Sequence, residues 1–122
     1  MSTPGYKVWL DEERQIVRQQ IDIQPDLPQF LEISAETGQC ARQLRQPDEV
    51  RVLIEGTGLG SLPRGVRSAT IETLKHPDLK RVAVVTSHRF TRIMMRFIVT
   101  VTGIQKIRAF SNREDALDWL LP

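Results

Sequence analysis

Apolar residues along this chain recur at two spacings. In "YKVWLD" (6–11) Val8 and Leu10 alternate with Lys7 and Trp9, and "RQIVRQQID" (14–22) carries Ile16 and Val17 beyond the polar corner "DEER". Two short runs around a polar corner predict a β-hairpin. After "PDLP" the spacing changes to that of a helix, with Phe30, Ile33, Thr37, Ala41 and Leu44 on one face. Asp26 is placed to cap it and Pro28 to sit in its first turn, where a missing N–H costs nothing. Gly38 weakens that helix, which suggests close backbone packing there, and Pro47 is the predicted stop.

The same reading continues to the end of the chain. "EVRVLIE" (49–55) is a strand with Val50, Val52 and Ile54 on one side and Leu53 on the other. A helix over about 63–75 turns Val66, Ala69, Thr70 and Thr73 or Leu74 inward. "RVAVVTS" (81–87) is almost continuously apolar, as in a central strand covered on both faces. Residues 88–102 form a third helix, "KIRAF" (106–110) a last strand, and "SNREDALDWLLP" a last helix with Ser111 and Glu114 as its capping box. The order β-β-α-β-α-β-α-β-α forces parallel pairing, because each helix returns the chain to the same end of the sheet. The predicted fold is therefore α/β in one domain, residues 1–122. It has a small, mixed, mostly parallel sheet, an N-terminal antiparallel hairpin at its edge, and four helices.

Composition excludes several classes. The 122 residues are 40% apolar and 26% charged, which is ordinary for a globular chain and rules out disorder and collagen. One cysteine, Cys40, forbids an internal disulfide or a cysteine-built zinc site and suits a small core residue. His76 and His88 do not make a metal site. The start lacks a basic flank and an apolar core, and no run approaches the ~20 apolar residues needed to span a bilayer, so a cytoplasmic protein is expected. Net charge is +2, but unevenly spread: residues 1–61 hold 6 basic and 10 acidic side chains, a balance of −4, and residues 62–122 hold 11 and 5, a balance of +6. Either a basic face meets an acidic partner, or folding mixes the halves.

The stretch "IEGTGLGSLPRG" (54–65) follows a strand and opens a helix. It departs from a dinucleotide fingerprint because Ser61 stands where the third glycine would be. It departs from a P-loop because Val66 replaces the lysine. No cofactor is expected. Glycine at a strand-to-helix bend supplies positive φ, and Thr57 or Ser61 then serves as a cap. The other reading is an anion or phospho-site, since N–H groups at a helix start favour negative charge. In an open parallel sheet ligands sit beyond the carboxyl ends of the strands, which gathers Thr57, Ser61, Ser87, His88, Arg89 and Asn112 on one edge. No nucleophile–base–acid set can be read from them, so no enzyme is expected.

"HRFTRIMMRFIVTVTG" (88–103) is apolar beyond the needs of one stripe. Phe90, Ile93, Met94, Phe97, Ile98 and Val101 are the expected core face. Met95 and Val99, flanked by Arg89, Arg92 and Arg96, are then left for a partner protein, a second copy of the chain, or an anionic membrane. The other reading is a buried helix with arginine stems along its edge. A DNA-reading helix does not fit the expected fold or the near-neutral charge, so no nucleic acid is expected.

"LKRVAVVTS" (79–87), "KIRAFSNREDALDWL" (106–120) and the opening hairpin before an amphipathic helix resemble the STAS superfamily, and more closely its SpoIIAA-like branch, which is related to CRAL-TRIO lipid-binding domains. The resemblance covers nearly the whole chain. It implies a regulatory or binding module without catalysis, acting through protein or small-ligand contacts, with a lipid or other hydrophobic ligand as the alternative. In antagonists of that superfamily a serine in an Asp-Ser-Ser-Gly-like turn is phosphorylated. Here the Asp-Ser pair is absent, and only Glu55, Thr57 and Ser61 offer acidic or hydroxyl groups nearby.

Overall fold

Alternation in the first two runs does make a hairpin. Strand β1 (Tyr6–Asp11) lies antiparallel to β2 (Ile16–Ile21), with Tyr6 opposite Ile21 and Asp11 opposite Ile16. The turn closes on Gln15, a non-glycine residue at φ 56°. Its amide donates to the Glu12 carbonyl at 2.7 Å and accepts from the Arg45 N–H at 2.9 Å, which holds this left-handed position in place. The computed structural model describes residues 5–57 and 64–121, apart from the side chains of Arg64, Phe90, Met94, Phe97, Ile98 and Val101.

The remaining elements are α1 (Leu27–Ala41), β3 (Val50–Glu55), α2 (Arg64–Leu74), β4 (Leu79–Val85), α3 (Arg89–Thr102), β5 (Ile107–Phe110) and α4 (Arg113–Leu120). Strand order in the sheet equals chain order, β1-β2-β3-β4-β5, and β2 to β5 run parallel. Every crossover therefore steps one strand in the same direction. Crossovers of one hand then place α1, α2 and α3 on one face. The larger core cluster lies there, joining Val17, Val52 and Val84 of the sheet to Ile33, Leu74 and Met95 of the helices. The opposite face is covered by α4, where Ala116 and Leu120 pack on Ile16, Leu53 and Ala83. Strand β3 divides as its alternation predicted, Val50, Val52 and Ile54 to one core and Leu53 to the other.

This topology decides the fate of the uneven charge. With strands in chain order, the acidic N-terminal half supplies β1 to β3 and the basic C-terminal half β4 and β5, while α4 of the second half reaches back over Ile16 and Leu53.

Three local expectations change. Helix α1 opens as predicted, with Asp26 accepting from the Gln29 N–H at 2.9 Å and Gln29 accepting from the Asp26 N–H at 3.0 Å. It ends at Ala41, well before Pro47, because Gln43 and Leu44 bond the carbonyls of Cys40 and Ala41 in tighter turns. Leu44 stays buried from that turn. Helix α4 is capped by Asn112 rather than Ser111. Asn112 accepts from the Asp115 N–H at 2.9 Å and donates to the Asp115 carboxylate at 3.1 Å, so the capping pair lies one residue further on. Gly38 is not explained by packing, since a Cβ there would meet only Arg42 Nη1 at 3.8 Å. Cys40 is half-buried against the core, and burial, with Glu36 alongside, pushes its thiol pKa up.

Candidate functional site

Two regions hold the residues singled out from the sequence. The first is the edge beyond the carboxyl ends of the parallel strands. There β3 ends in Gly56, at φ 141°, where a Cβ would stand 1.9 Å from the Ile21 carbonyl oxygen. Glycine is required at this bend because the chain leaves β3 against the backbone of β2. The close approach brings Thr57 to Asp22. The Thr57 N–H and hydroxyl both donate to Asp22 Oδ1 at 3.2 Å. The Gln20 amide, and then Thr57, hold the Asp22 carboxyl below its ordinary range. His88 donates from Nε2 to the Thr57 carbonyl at 3.2 Å, and its own N–H is taken by Thr86 Oγ1 at 3.1 Å.

Thr57 and His88 are thus brought together, while Ser87 and Arg89 stand exposed at the start of α3; Ser61 lies outside the described residues. Sequence reasoning missed Asp22. Its signal was available, since β2 is the first parallel strand and its end belongs to the same edge. Asp22 changes the chemistry: the Thr57 hydroxyl and N–H are spent on a carboxylate, and a phosphate placed there would face that negative charge. A carboxylate beside a hydroxyl also raises the question of a base. Both groups are exposed, and a carboxyl with a lowered pKa is a weaker proton acceptor. Among the described residues no three His, Cys, Asp or Glu side chains come together as a metal site.

The second region is the side of the sheet where β5 ends the strand order. The helix above it, α3, turns differently from its expected phase. Met95, expected on a free surface, is 7% exposed and part of the core, Val99 packs against it, and Ile93, expected inside, is 55% exposed. The helix carries apolar residues on more than one face, so its own sequence cannot choose the buried stripe; the sheet chooses Thr91, Met95 and Val99 at i, i+4 spacing.

The partner-surface candidates nevertheless converge. Arg92, Met95, Arg96 and Val99 line a groove of about 600 Å³ with β5 and Trp119 of α4. The groove wraps the outer edge of β5, from Ile107 and Ala109 on the three-helix face to Arg108 and Phe110 on the other. Its far wall is an aromatic ladder. The Arg108 guanidinium lies 5.5 Å over Phe110, Phe110 sits 5.7 Å from Trp119, and Arg81 lies 5.0 Å over Trp119 while donating to its carbonyl. Among the described residues no salt bridge reaches Arg92, Arg96 or Arg108, and no strand pairs with the outer edge of β5. Arg108, Phe110 and Trp119 were missed in the sequence because their meeting depends on β5 being the last strand.

A sheet entered by an antiparallel hairpin, wound in one direction, with three helices on one face and one on the other, defines a STAS-like α/β domain. The family is more particular. A sequence model of the SpoIIAA-like family matches residues 14–121, and the chain belongs to that family. Among solved structures it is similar to an uncharacterised protein of the DUF3478 family with a SpoIIAA-like fold from Shewanella loihica PV-4, at 17% identity over 98% of each chain with a TM-score of 0.67. At that identity the likeness is one of fold. No curated protein sequence matches the chain. Among the described residues no helix is long and apolar enough to cross a membrane.

Proposed function

We propose that this protein is a non-catalytic binding module that takes an extended, acidic segment of a partner protein along the outer edge of β5. One observation carries the reading: among the described residues, three arginines without a carboxylate partner border Val99, Phe110 and Trp119 beside a strand edge that pairs with no other strand. An added strand gains main-chain hydrogen bonds from such an edge, and pockets for alternate side chains set its specificity. Arg92, Arg96 and Arg108 select acidic residues in the segment, and Val99, Phe110 and Trp119 receive its apolar ones. The buried Met95 supports the floor and does not itself dock.

The test is titration of a synthetic peptide of alternating glutamate and valine, followed through the amide resonances of Ile107 and Ala109. Saturable shifts that weaken as salt rises are expected, since exposed charge pairs are screened. Arg92→Glu combined with Arg96→Glu should weaken binding at least about tenfold. Unmoved amides, together with flotation on anionic vesicles or a salt-resistant dimer by light scattering, would reassign the surface to lipid or to a second copy.

A further inference from the structure

Among the described residues two side chains hold a buried nitrogen with no hydrogen-bond partner, Arg18 and Arg51. Arg18 places the rest of its guanidinium on Glu55 and Asp11. Arg51 of β3 does not. It is half-buried, and among the described residues it makes no hydrogen bond and no ion pair. Only its Nε is sealed from water, so its two Nη groups reach solvent with nothing to donate to in the protein. A half-buried guanidinium left in this way calls for an acceptor.

Its neighbour is a second arginine. The register of β3 on β4 slips by one residue between Val50 and Arg51, with Lys80 as the extra residue, and this sets Arg51 opposite Arg81. Bulges commonly re-aim a side chain beside a site. Two steps from Leu53, Arg51 shares the α4 face with it, and Arg81 lies there against Trp119. Neighbouring strands lie about 4.8 Å apart, and like charges directly opposite repel. Arg81 has a place in the fold: it donates from Nη1 to the Trp119 carbonyl near the negative end of α4. Its Nε and Nη2 have no such partner among the described residues. No carboxylate forms a salt bridge with either arginine there, not even Glu49, two residues before Arg51.

We propose that Arg51 and Arg81 bind a phosphate group, free or carried by a larger molecule, on the α4 face of the sheet. Guanidiniums offer planar pairs of N–H donors that match phosphate oxygens. A dianion balances both charges, where one carboxylate balances a single arginine. The pair stands on inner strands, and the inference does not rest on the β5 groove.

The test titrates the full chain with inorganic phosphate, phenyl phosphate and acetate at constant ionic strength, read by the Nε–H resonances of Arg51 and Arg81. Phosphate should shift them saturably, and acetate should bind at least about fivefold more weakly. Tighter binding of phenyl phosphate than of inorganic phosphate would support a group carried by a larger molecule, and equal or weaker binding a free one. Arg51→Gln should weaken phosphate binding at least about tenfold, and Arg51→Lys about threefold, because lysine keeps the charge and loses the fork. Neither variant removes a hydrogen bond seen in the fold, so both should melt no earlier than the unaltered chain in phosphate-free buffer; Arg51→Lys carries the comparison if Arg51→Gln does not fold. Arg92→Glu with Arg96→Glu should leave phosphate affinity within about twofold, which separates this site from the β5 groove. Absence of saturable shifts with phosphate, equal affinity for phosphate and acetate, or undiminished binding in a folded Arg51 variant would each overturn the proposal.

Discussion

The two outer strands of the sheet use their charges differently. Along β1 they are matched within the fold. Tyr6 donates to Glu32 at 2.8 Å, Asp11 pairs with Arg14 at 3.3 Å and Arg18 at 3.9 Å, and Lys7 and Arg18 each lie 5.0 Å over Trp9. Along β5 no carboxylate meets Arg92, Arg96 or Arg108 among the described residues, although Arg108 stacks on Phe110 and Phe110 on Trp119. Ionic side chains that satisfy one another stabilise the domain modestly and leave little for a partner. Unmatched ones keep their electrostatic attraction for something outside. Among the described residues, the charges around Trp9 at the β1 edge are thus spent within the fold, and those of Arg92, Arg96 and Arg108 at the β5 edge are not.

Both outer strands depend on the middle of the sheet, and the largest expected effect is there. Gly56→Ala would force a Cβ to 1.9 Å from the Ile21 carbonyl at a φ that side chains rarely adopt. A loss of more than about 3 kcal/mol is expected in denaturant unfolding, with both edges failing together. A loss below about 1 kcal/mol would show that β2 and β3 can part at this end without harm.

The next effect ties the acidic side to the basic one. Glu55 of β3, its side chain 13% exposed, accepts from Arg18 at 2.7 Å and from Arg113 of α4 at 2.9 Å. Glu55→Gln would leave Arg18 only the longer contact to Asp11 at 3.9 Å, with its Nε already buried without a partner. About 2 kcal/mol should be lost, since the shorter of the two carboxylate contacts of a largely buried guanidinium goes, and Arg113 loses its partner as well. Hydrogen exchange should rise in the first turn of α4, where Arg113 is anchored. Unchanged exchange there would mean that Asn112 holds the helix start alone.

Charge reversal separates the two sides most directly. Arg92→Glu with Arg96→Glu should change stability by no more than about 0.5 kcal/mol, because among the described residues these side chains have no carboxylate partner to lose, while removing acidic-peptide binding. Glu32→Lys with Glu36→Lys, on the β1 side, should leave that binding unchanged. Equal losses from the two reversals would place recognition in the overall field of the molecule rather than in the β5 groove.

Much of this was legible in the sequence, for identifiable reasons. Val50, Val52 and Ile54 against Leu53 specify both faces of β3, because a period of two admits only one assignment once each face is covered. Asp26 and Pro28 fix the start of α1 through bonds made within four residues. The α4 cap slipped by one because Ser111 and Asn112 are both good caps, and only the choice between Glu114 and Asp115 decides. The phase of α3 was not legible, since Met95 and Ile93 are both apolar and the sheet picks between them. Asp22, Arg108 and Trp119 were hidden for another reason. Their roles follow from strand order, which brings residues far apart in sequence to one edge, and no local pattern records it.

The smallest effect concerns the matched side and can be read without ambiguity, because Tyr6 is the only tyrosine in the chain. Its hydroxyl donates to Glu32, and that bond, followed by partial burial and the charges of Glu32 and Glu36, pushes its pKa up to about 12. A phenol whose pKa is higher folded than unfolded stabilises the fold below the unfolded value, near 10, and loses that contribution as pH rises toward 12. Ultraviolet titration of the folded protein should therefore show phenolate appearing about two units late. Glu32→Gln should bring the midpoint back toward 10, with Glu36→Gln moving it less, because it removes only a charge and not the acceptor. The phenol is only half-buried and solvent reaches the pair, so the stability at stake is small. A midpoint near 10 in the unaltered protein would show that the hydroxyl does not stay on Glu32. The β1 side would then hold acidic charge as unspent as the basic charge along β5, and the contrast between the two outer strands would lose its acidic half.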